Sequence, residues 1–276
     1  MRESRLKLGA GYVALGVISL LFIIPFIWLI RSSLMDLSQI FVMPPEWIPH
    51  PFHWENYKRA LTSLPFGTYF VNTLVIVASV LIGTVLTSTI SAFGFSRIRW
   101  KGRDAVFAVL LSSMMLPEAV TLIPSFLGWK ELGFYDTYYP LIVPSFFGGG
   151  IFNIFLLRQF YMSIPKDFDE AAFVDGAGYF QIYWRIILPL SRSAVIVVAL
   201  FTFLGTWNDF MGPLIYLKSD SRFTLALGLQ MFQGSYSAQW DLLMAASAVV
   251  ILPCVVIFLL GQRYFLEGIT LTGLKG

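Results

Sequence analysis

A chain of 276 residues that is 57% hydrophobic and only 13% charged, with a mean hydropathy of +0.73, lies outside the balance of soluble domains and belongs in a lipid bilayer. Its net charge of +3 is scattered between apolar runs and forms no basic stripe, which argues against nucleic acid as a partner. The single cysteine, Cys254, sits in an apolar run, so no internal disulfide framework is available and the redox compartment is unreadable.

A helix needs roughly 20 apolar residues to cross hydrocarbon about 30 Å thick, and the charges show where such helices fit. Leu8 to Ile30 carries none, and Ala60 to Ser96 carries none around a second span of about Tyr69 to Ser91. Ala105 to Trp129 holds only Glu118, Thr137 to Leu157 holds none, Ser193 to Leu217 holds only Asp209, and Leu242 to Gln262 holds none. The expected fold is all-α: a polytopic transmembrane helical bundle of six spans. Thirteen of the 19 Lys and Arg residues fall in the loops on the side of the termini and six on the other, which sets both termini in the cytoplasm. The first run follows a basic start, but it exceeds the roughly 7 to 15 residues of a signal core and ends in bulky Phe26, Ile27, Trp28 and Leu29, so it reads as a retained helix. The outer loop from Arg31 to about Thr68 mixes prolines with Trp47 and Trp54, as suits an interfacial cap. No repeat or linker divides the chain, and residues 1–276 are expected to form one domain.

The segment between the fourth and fifth spans, Arg158 to Arg192, carries the chemistry. Ser163 is expected to cap a short helix that Pro165 helps to start, with Asp167, Asp169 and Glu170 at its positive end. Gly176 then stops that helix by taking a left-handed backbone. A second short helix rich in Tyr179, Phe180, Tyr183 and Trp184 is expected to follow until Pro189 turns the chain into the fifth span. The product is a bent elbow whose Ala171-Ala172 surface lets another protein approach closely.

Glu170-Ala171-Ala172, then three residues, Gly176, nine residues, Ile186, one residue and Leu188-Pro189 match every fixed position of the signature of bacterial ABC importer permeases. The Asp175-Gly176-Ala177 extension resembles the carbohydrate-uptake branch. The stretch Asn153 to Phe160, Trp207-Asn208-Asp209-Phe210 and the tail Gly268 to Gly276 are similar to the second permease of maltose-type heterodimers. One departure is Ser193, where many relatives carry a second proline. The resemblance implies a non-enzymatic permease of the bacterial cell membrane that forms half of a carbohydrate pathway, most simply for an oligosaccharide. It implies a second permease, two ATP-binding subunits and an extracytoplasmic solute-binding protein as partners. Glu170, Ala171, Ala172, Asp175 and Gly176 would dock the ATPase, and Thr272, Gly273, Leu274, Lys275 and Gly276 would reach between its two copies. No Gly-Lys dipeptide occurs, so this chain has no phosphate loop, and ATP and Mg would be bound by the partner.

Glu118 and Asp209 are the only charges inside the expected spans, about 20 and 24 Å from the cytoplasmic ends at the helical rise. Pro117 and Pro124 are expected to kink or unwind the third span beside Glu118. Two roles fit these carboxylates: lining the pathway or outer gate, or a structural contact with the partner permease or the headgroup region. Trp207 and Asn208 suit sugar chemistry, by ring stacking and amide hydrogen bonding, while Trp near a membrane face also serves as an anchor. His50 and His53 stand in the proline-rich loop without the further ligands that zinc needs, and no histidine is placed for an intramembrane protease. The tail from Arg263, weakened by Gly268, Gly273 and Gly276, is expected to be a flexible peptide in isolation.

Overall fold

The structure, a computed structural model, describes residues 2–234 and 238–273. Regular structure among them is helical, with one isolated bridge between Gln233 and Ala238. In chain order the helices are α1 Arg2–Ser33, α2 Leu37–Ile40, α3 Glu55–Ser63, α4 Phe66–Ser96, α5 Arg103–Ser113, α6 Glu118–Glu131 and α7 Tyr139–Ile142. After a 3₁₀ turn at Val143–Phe146 come α8 Ile151–Ser163, α9 Asp167–Val174 and α10 Tyr179–Ile182. A π turn at Tyr183–Ile187 leads into α11 Leu188–Leu190, then α12 Arg192–Trp207, α13 Met211–Tyr216, α14 Leu225–Gln230, α15 Trp240–Val250 and α16 Leu252–Gly273.

Among the described residues, four helical stretches are long and apolar enough to cross a bilayer: Gly11–Ser33, Phe66–Ser96, Tyr139–Ser163 and Trp240–Tyr264. Tyr179–Leu190 and Arg192–Trp207, bent by 78°, make a fifth if they are one span. The expected third span is missing from this set because it is cut in two. Pro117 is extended (ψ 136°) and disfavours the helical conformation in Leu116, so α5 stops at Ser113 and α6 starts afresh at Glu118. The fifth expected span breaks as well, at Asn208–Phe210.

The chain packs as two units. One is made of the residues up to Gly67 together with Gly228–Leu252. Here α15 buries Leu242 and Leu243 together with Ala245, Ala246 and Ala248, and the alanines let α1 and α3 approach. Asn56 of α3 donates its amide to the carbonyls of Ser33 (3.2 Å) and Met35 (2.8 Å), satisfying backbone acceptors at the end of α1. Arg31 lies over the Trp28 ring at 4.2 Å and bonds the Glu46 carbonyl. From Gly11 to Ile30 no residue of α1 is buried, a surface for hydrocarbon or another apolar chain.

The second unit comprises Thr68–Leu227 and the residues from Pro253 on. Its core joins Ala92 and Phe93 of α4, Phe107 of α5, Ile154, Leu157 and Tyr161 of α8, Ala172 of α9, Ile182, Tyr183 and Ile187 of the elbow, and Ala194 and Val198 of α12. Gly148, Gly149 and Gly150 interrupt the Tyr139–Ser163 stretch with φ of 97°, 65° and 87°, values that side chains resist. Gly149 also lies so close to α4 that a Cβ there would sit 2.5 Å from the Thr84 carbonyl oxygen. Replacing Gly149 by Ala should therefore cost about 1–3 kcal/mol from backbone strain plus the clash. A clear fall in Tm in detergent is expected, against no fall for Gly94→Ala, where no atom stands within 4 Å.

Asp136 ties two loops of this unit. It stands at φ 57°, which Asp tolerates, and its amide donates to the Tyr216 carbonyl. Oδ1 accepts from the Lys218 and Ser219 amides (2.9 and 3.0 Å), and Oδ2 accepts from the Ser219 hydroxyl with Arg222 at 3.7 Å. Burial works against the charged form, but these donors and Arg222 outweigh it and hold the carboxyl down at about 2. A depressed carboxyl contributes stability above its unfolded value of 3.8 and loses it as pH falls toward 2. Between pH 4 and 2 the wild type should lose roughly 1–2 kcal/mol more than Asp136→Asn, read as a steeper fall in Tm.

Candidate coupling site

The elbow begins where α8 ends. Pro165 holds Ile164 extended (φ −73°, ψ 129°), which carries the chain off the α8 axis before α9 starts. This corrects the expected cap: the Ser163 hydroxyl donates back to the Phe160 carbonyl at 2.7 Å and closes α8 instead. The Lys166 carbonyl opens α9 by accepting from the Asp169 and Glu170 amides at 2.9 and 3.0 Å. Asp167, Asp169 and Glu170 occupy the first turn, where the helix dipole favours negative charge.

The end of α9 is a complete Schellman motif. Gly176 takes φ 80°, its amide donates to the Phe173 carbonyl at 3.0 Å, and the Ala177 amide reaches the Ala172 carbonyl at 2.9 Å. No atom lies within 4 Å of where a Gly176 side chain would begin, so conformation alone selects glycine. Tyr179 to Leu190 follows as the second arm. It buries Ile182, Tyr183 and Ile187 while exposing Phe180 and Trp184, and the Tyr183 hydroxyl pairs with Thr89 Oγ1 at 2.9 Å. The turn into α12 falls at Ser191, two residues past Pro189. Pro189 cannot donate to the Arg185 carbonyl, and the chain meets that gap with the wide π turn before it.

The two faces of α9 differ in kind. Glu170, Ala171, Phe173, Val174 and Asp175 are exposed, whereas Asp169 and Ala172, three apart and on one face, are buried. Asp169 meets Arg97, the residue after α4, with Nη1 to Oδ2 at 3.0 Å. Arg97 Nη2 also donates to the carbonyls of Tyr161 (2.5 Å) and Ile164 (2.8 Å) at the end of α8. Its side chain is 3% exposed. Sequence reading used Arg97 only as one of thirteen cytoplasmic charges; the usable signal was Asp169 on the same helical face as apolar Ala172. Beside this pair a cavity of about 650 Å³ opens, lined by Arg99, Lys166 and Glu170 with Phe93, Phe173 and Tyr179.

The remaining residues singled out from sequence lie elsewhere. Glu118 is the first residue of α6, at the break that Pro117 imposes. Asp209 stands in the break after α12, where its Oδ1 accepts from the Gly212 amide at 3.1 Å. Asn208 is exposed and turns its amide back to the Leu204 carbonyl at 2.8 Å. Trp207 is buried, stacked on Phe203 at 5.4 Å and meeting Phe70 edge-on at 6.1 Å, so its ring is not open to a sugar face. His53 Nδ1 lies 3.1 Å from Glu55 Oε1. In the tail, α16 continues to Gly273 where a flexible peptide was expected, so Thr272 and Gly273 are helical; Leu274, Lys275 and Gly276 lie outside the described residues.

Residues 83–270, which hold the whole elbow, match the family model described as binding-protein-dependent transport system inner membrane component. The chain belongs to this family. It is a transport permease component, not a catalytic enzyme, and a multi-pass membrane protein. It is 32% identical over 279 aligned residues to the trehalose/maltose transport system permease protein MalG of Thermococcus litoralis, covering 100% of both chains. It is 31% identical to the probable ABC transporter permease protein YurM of Bacillus subtilis, covering 99% of this permease and 92% of that one. Its fold matches a chain in the crystal structure of a bacterial ABC transporter involved in the import of the acidic polysaccharide alginate, with a TM-score of 0.83, 22% identity, and coverage of 96% and 98%.

Because only backbone geometry demands glycine at 176, side chains should rank there by their tolerance of positive φ. Gly176→Asn should leave the Ala177 amide protected from hydrogen exchange, while Gly176→Val should cost about 1–2 kcal/mol and speed that exchange roughly tenfold or more. Equal protection in the two variants would show that the left-handed turn is dispensable.

Proposed function

We propose that this permease forms half of the translocation pathway of a carbohydrate ABC importer, and that the exposed face of α9 docks a separate ATP-hydrolysing subunit. The observation that carries the reading is the two-sidedness of α9. Glu170, Ala171 and Asp175 face outward on a helix that Gly176 ends sharply, while Asp169 and Ala172 fix its other face to the core. Small Ala171 permits close approach, and Glu170 and Asp175 offer carboxylates to a partner's Lys or Arg. The chain supplies no phosphate loop, so ATP and Mg belong to that partner.

In this reading the six apolar segments cross the bacterial inner membrane with both termini in the cytoplasm, and a second permease completes the pathway. A solute-binding protein delivers the cargo. The names of relatives support the substrate class: the permease of a trehalose/maltose system, that of a diacetylchitobiose uptake system in Streptomyces coelicolor, and that of an sn-glycerol-3-phosphate system in Yersinia pestis. A small oligosaccharide fits best. Glu118, Asn208 and Asp209, each at or beside a helix break, are the pathway candidates, since broken backbone in a bilayer needs protein or water to satisfy it. Thr272 to Gly276 are the candidate ATPase contacts of the tail.

Reconstitution tests this directly. With a second permease, the ATPase and a binding protein, proteoliposomes should take up labelled oligosaccharide only with ATP, and Gly176→Val should cut uptake at least tenfold while leaving the chain inserted. Uptake by the chain alone under a proton or sodium gradient would overturn the proposal in favour of a secondary carrier.

A further inference from the structure

Arg97 sits where three chain segments meet. Its backbone is held to α4 by a hydrogen bond from its amide to the Phe93 carbonyl at 2.9 Å. One arm of its guanidinium bonds the Asp169 carboxylate of α9, and the other bonds two carbonyls at the end of α8. Both side chains are almost wholly buried, at 3% and 12% exposure. Among the described residues Arg97 Nε and Asp169 Oδ1 have no hydrogen-bond partner, so the link between the two side chains is the single Nη1–Oδ2 bond, with Nη2 anchoring the guanidinium to α8. In such a setting separation leaves two buried charges unpaired. Ala172, packed into the same core one helical turn on, blocks α9 from rolling about its axis. The exposed face of α9 is therefore free to be gripped, while its buried face is bonded to two other helices at one point.

We propose that Arg97 is a positioning residue for transport: the rigid link through which displacement of α9 by a docked partner is carried to α4 and α8. This rests on the reading of α9 as the dock for the ATPase. The planar guanidinium suits the task because it donates along two edges at once, to a carboxylate and to a pair of carbonyls. A lysine placed there keeps the charge and can reach Asp169, but cannot hold that carboxylate and both carbonyls in one plane.

Two measurements on the assembled importer test the proposal. In the first, Arg97→Lys should still co-purify with the ATPase and still hydrolyse ATP, but the sugar transported per ATP should fall at least tenfold. In the second, on a Cys254→Ala background, spin labels at exposed Val174 of α9 and Ile90 of α4 report the distance between the two helices. In otherwise wild-type protein this distance should stay fixed, within about an ångström, between nucleotide-free and ATP-bound states; in Arg97→Lys it should broaden. A transport ratio in Arg97→Lys equal to wild type, or a wild-type label distance that shifts by several ångströms with nucleotide, would overturn the link and leave the docking reading intact. Failure of the wild-type chain to bind any ATPase would instead remove the docking reading. The wild-type distance measurement decides the proposal even if Arg97→Lys does not accumulate.

Discussion

The ion pair between Arg97 and Asp169 fixes the elbow on which everything else at this site depends. A buried pair of this kind gains little net stability over apolar packing, because both charges lose their hydration. Breaking it from one side is another matter, at roughly 3–5 kcal/mol, since the survivor stays buried and unpaired. What the pair supplies is location. An apolar contact tolerates sliding by an ångström or more, whereas a guanidinium bonded to one carboxylate and two carbonyls does not. The hydrophobic cluster around Ala172, Ile182 and Tyr183 brings the elbow against α4, α5, α8 and α12, and Arg97 decides its register there.

The interruptions of the long apolar segments follow from a second constraint. Hydrocarbon tolerates no unpaired backbone, so every break in a spanning helix has to be satisfied by protein or by water. Three of the breaks solve this differently. At Gly148–Gly150 the Asn153 amide donates to the Gly149 carbonyl at 2.7 Å, and Thr87 of α4 donates to the Ser145 carbonyl at 3.0 Å. After α12, the Asp209 carboxylate accepts from the Gly212 amide. Before α6, the amides of Met114, Met115 and Leu116 fall back to tighter bonds three residues behind them, at 3.1 Å each. A carboxylate at a helix break, such as Asp209, thus has a local structural duty in addition to any duty in a pathway.

Much of this was legible in the sequence, and the misses have a common cause. The apolar stretches, the helix at Asp167–Val174 and its stop at Gly176 were readable because each is written in a run of adjacent residues: periodicity, acidic first turn, glycine. The 78° bend into α12 was readable from Pro189, although its position moved to Ser191. Ser163 was assigned to the wrong helix because a hydroxyl between two helices can serve either, and only the extended step at Ile164 decides. Arg97 and Asp169 stand 72 residues apart in sequence, and no local pattern joins them. The residue type of Trp207 suited a sugar platform or an interfacial anchor alike, and only the contacts with Phe203 and Phe70 show what packs on its ring. Local chemistry was visible; contacts between distant segments were not.

The Glu-Ala-Ala triplet itself is best understood as two overlapping half-patterns. Residues one apart on a helix point about 100° away from each other, so Glu170 and Ala171 project outward while Ala172, with Asp169 a turn earlier, projects inward. The two alanines are therefore small for different reasons. Ala171 is exposed and leaves room for a neighbour outside the chain; Ala172 is in the core and lets α9 lie close enough for Asp169 to meet Arg97. A larger residue at 172 would lift the helix off the core and lengthen the 3.0 Å contact, which loses its strength steeply with distance in a buried setting. A larger residue at 171 would leave that contact untouched and affect only what approaches from outside. The proposed dock and the fixed packing in the bundle can thus share one helix, because each would use a different face and the residues of the two faces interleave along eight positions.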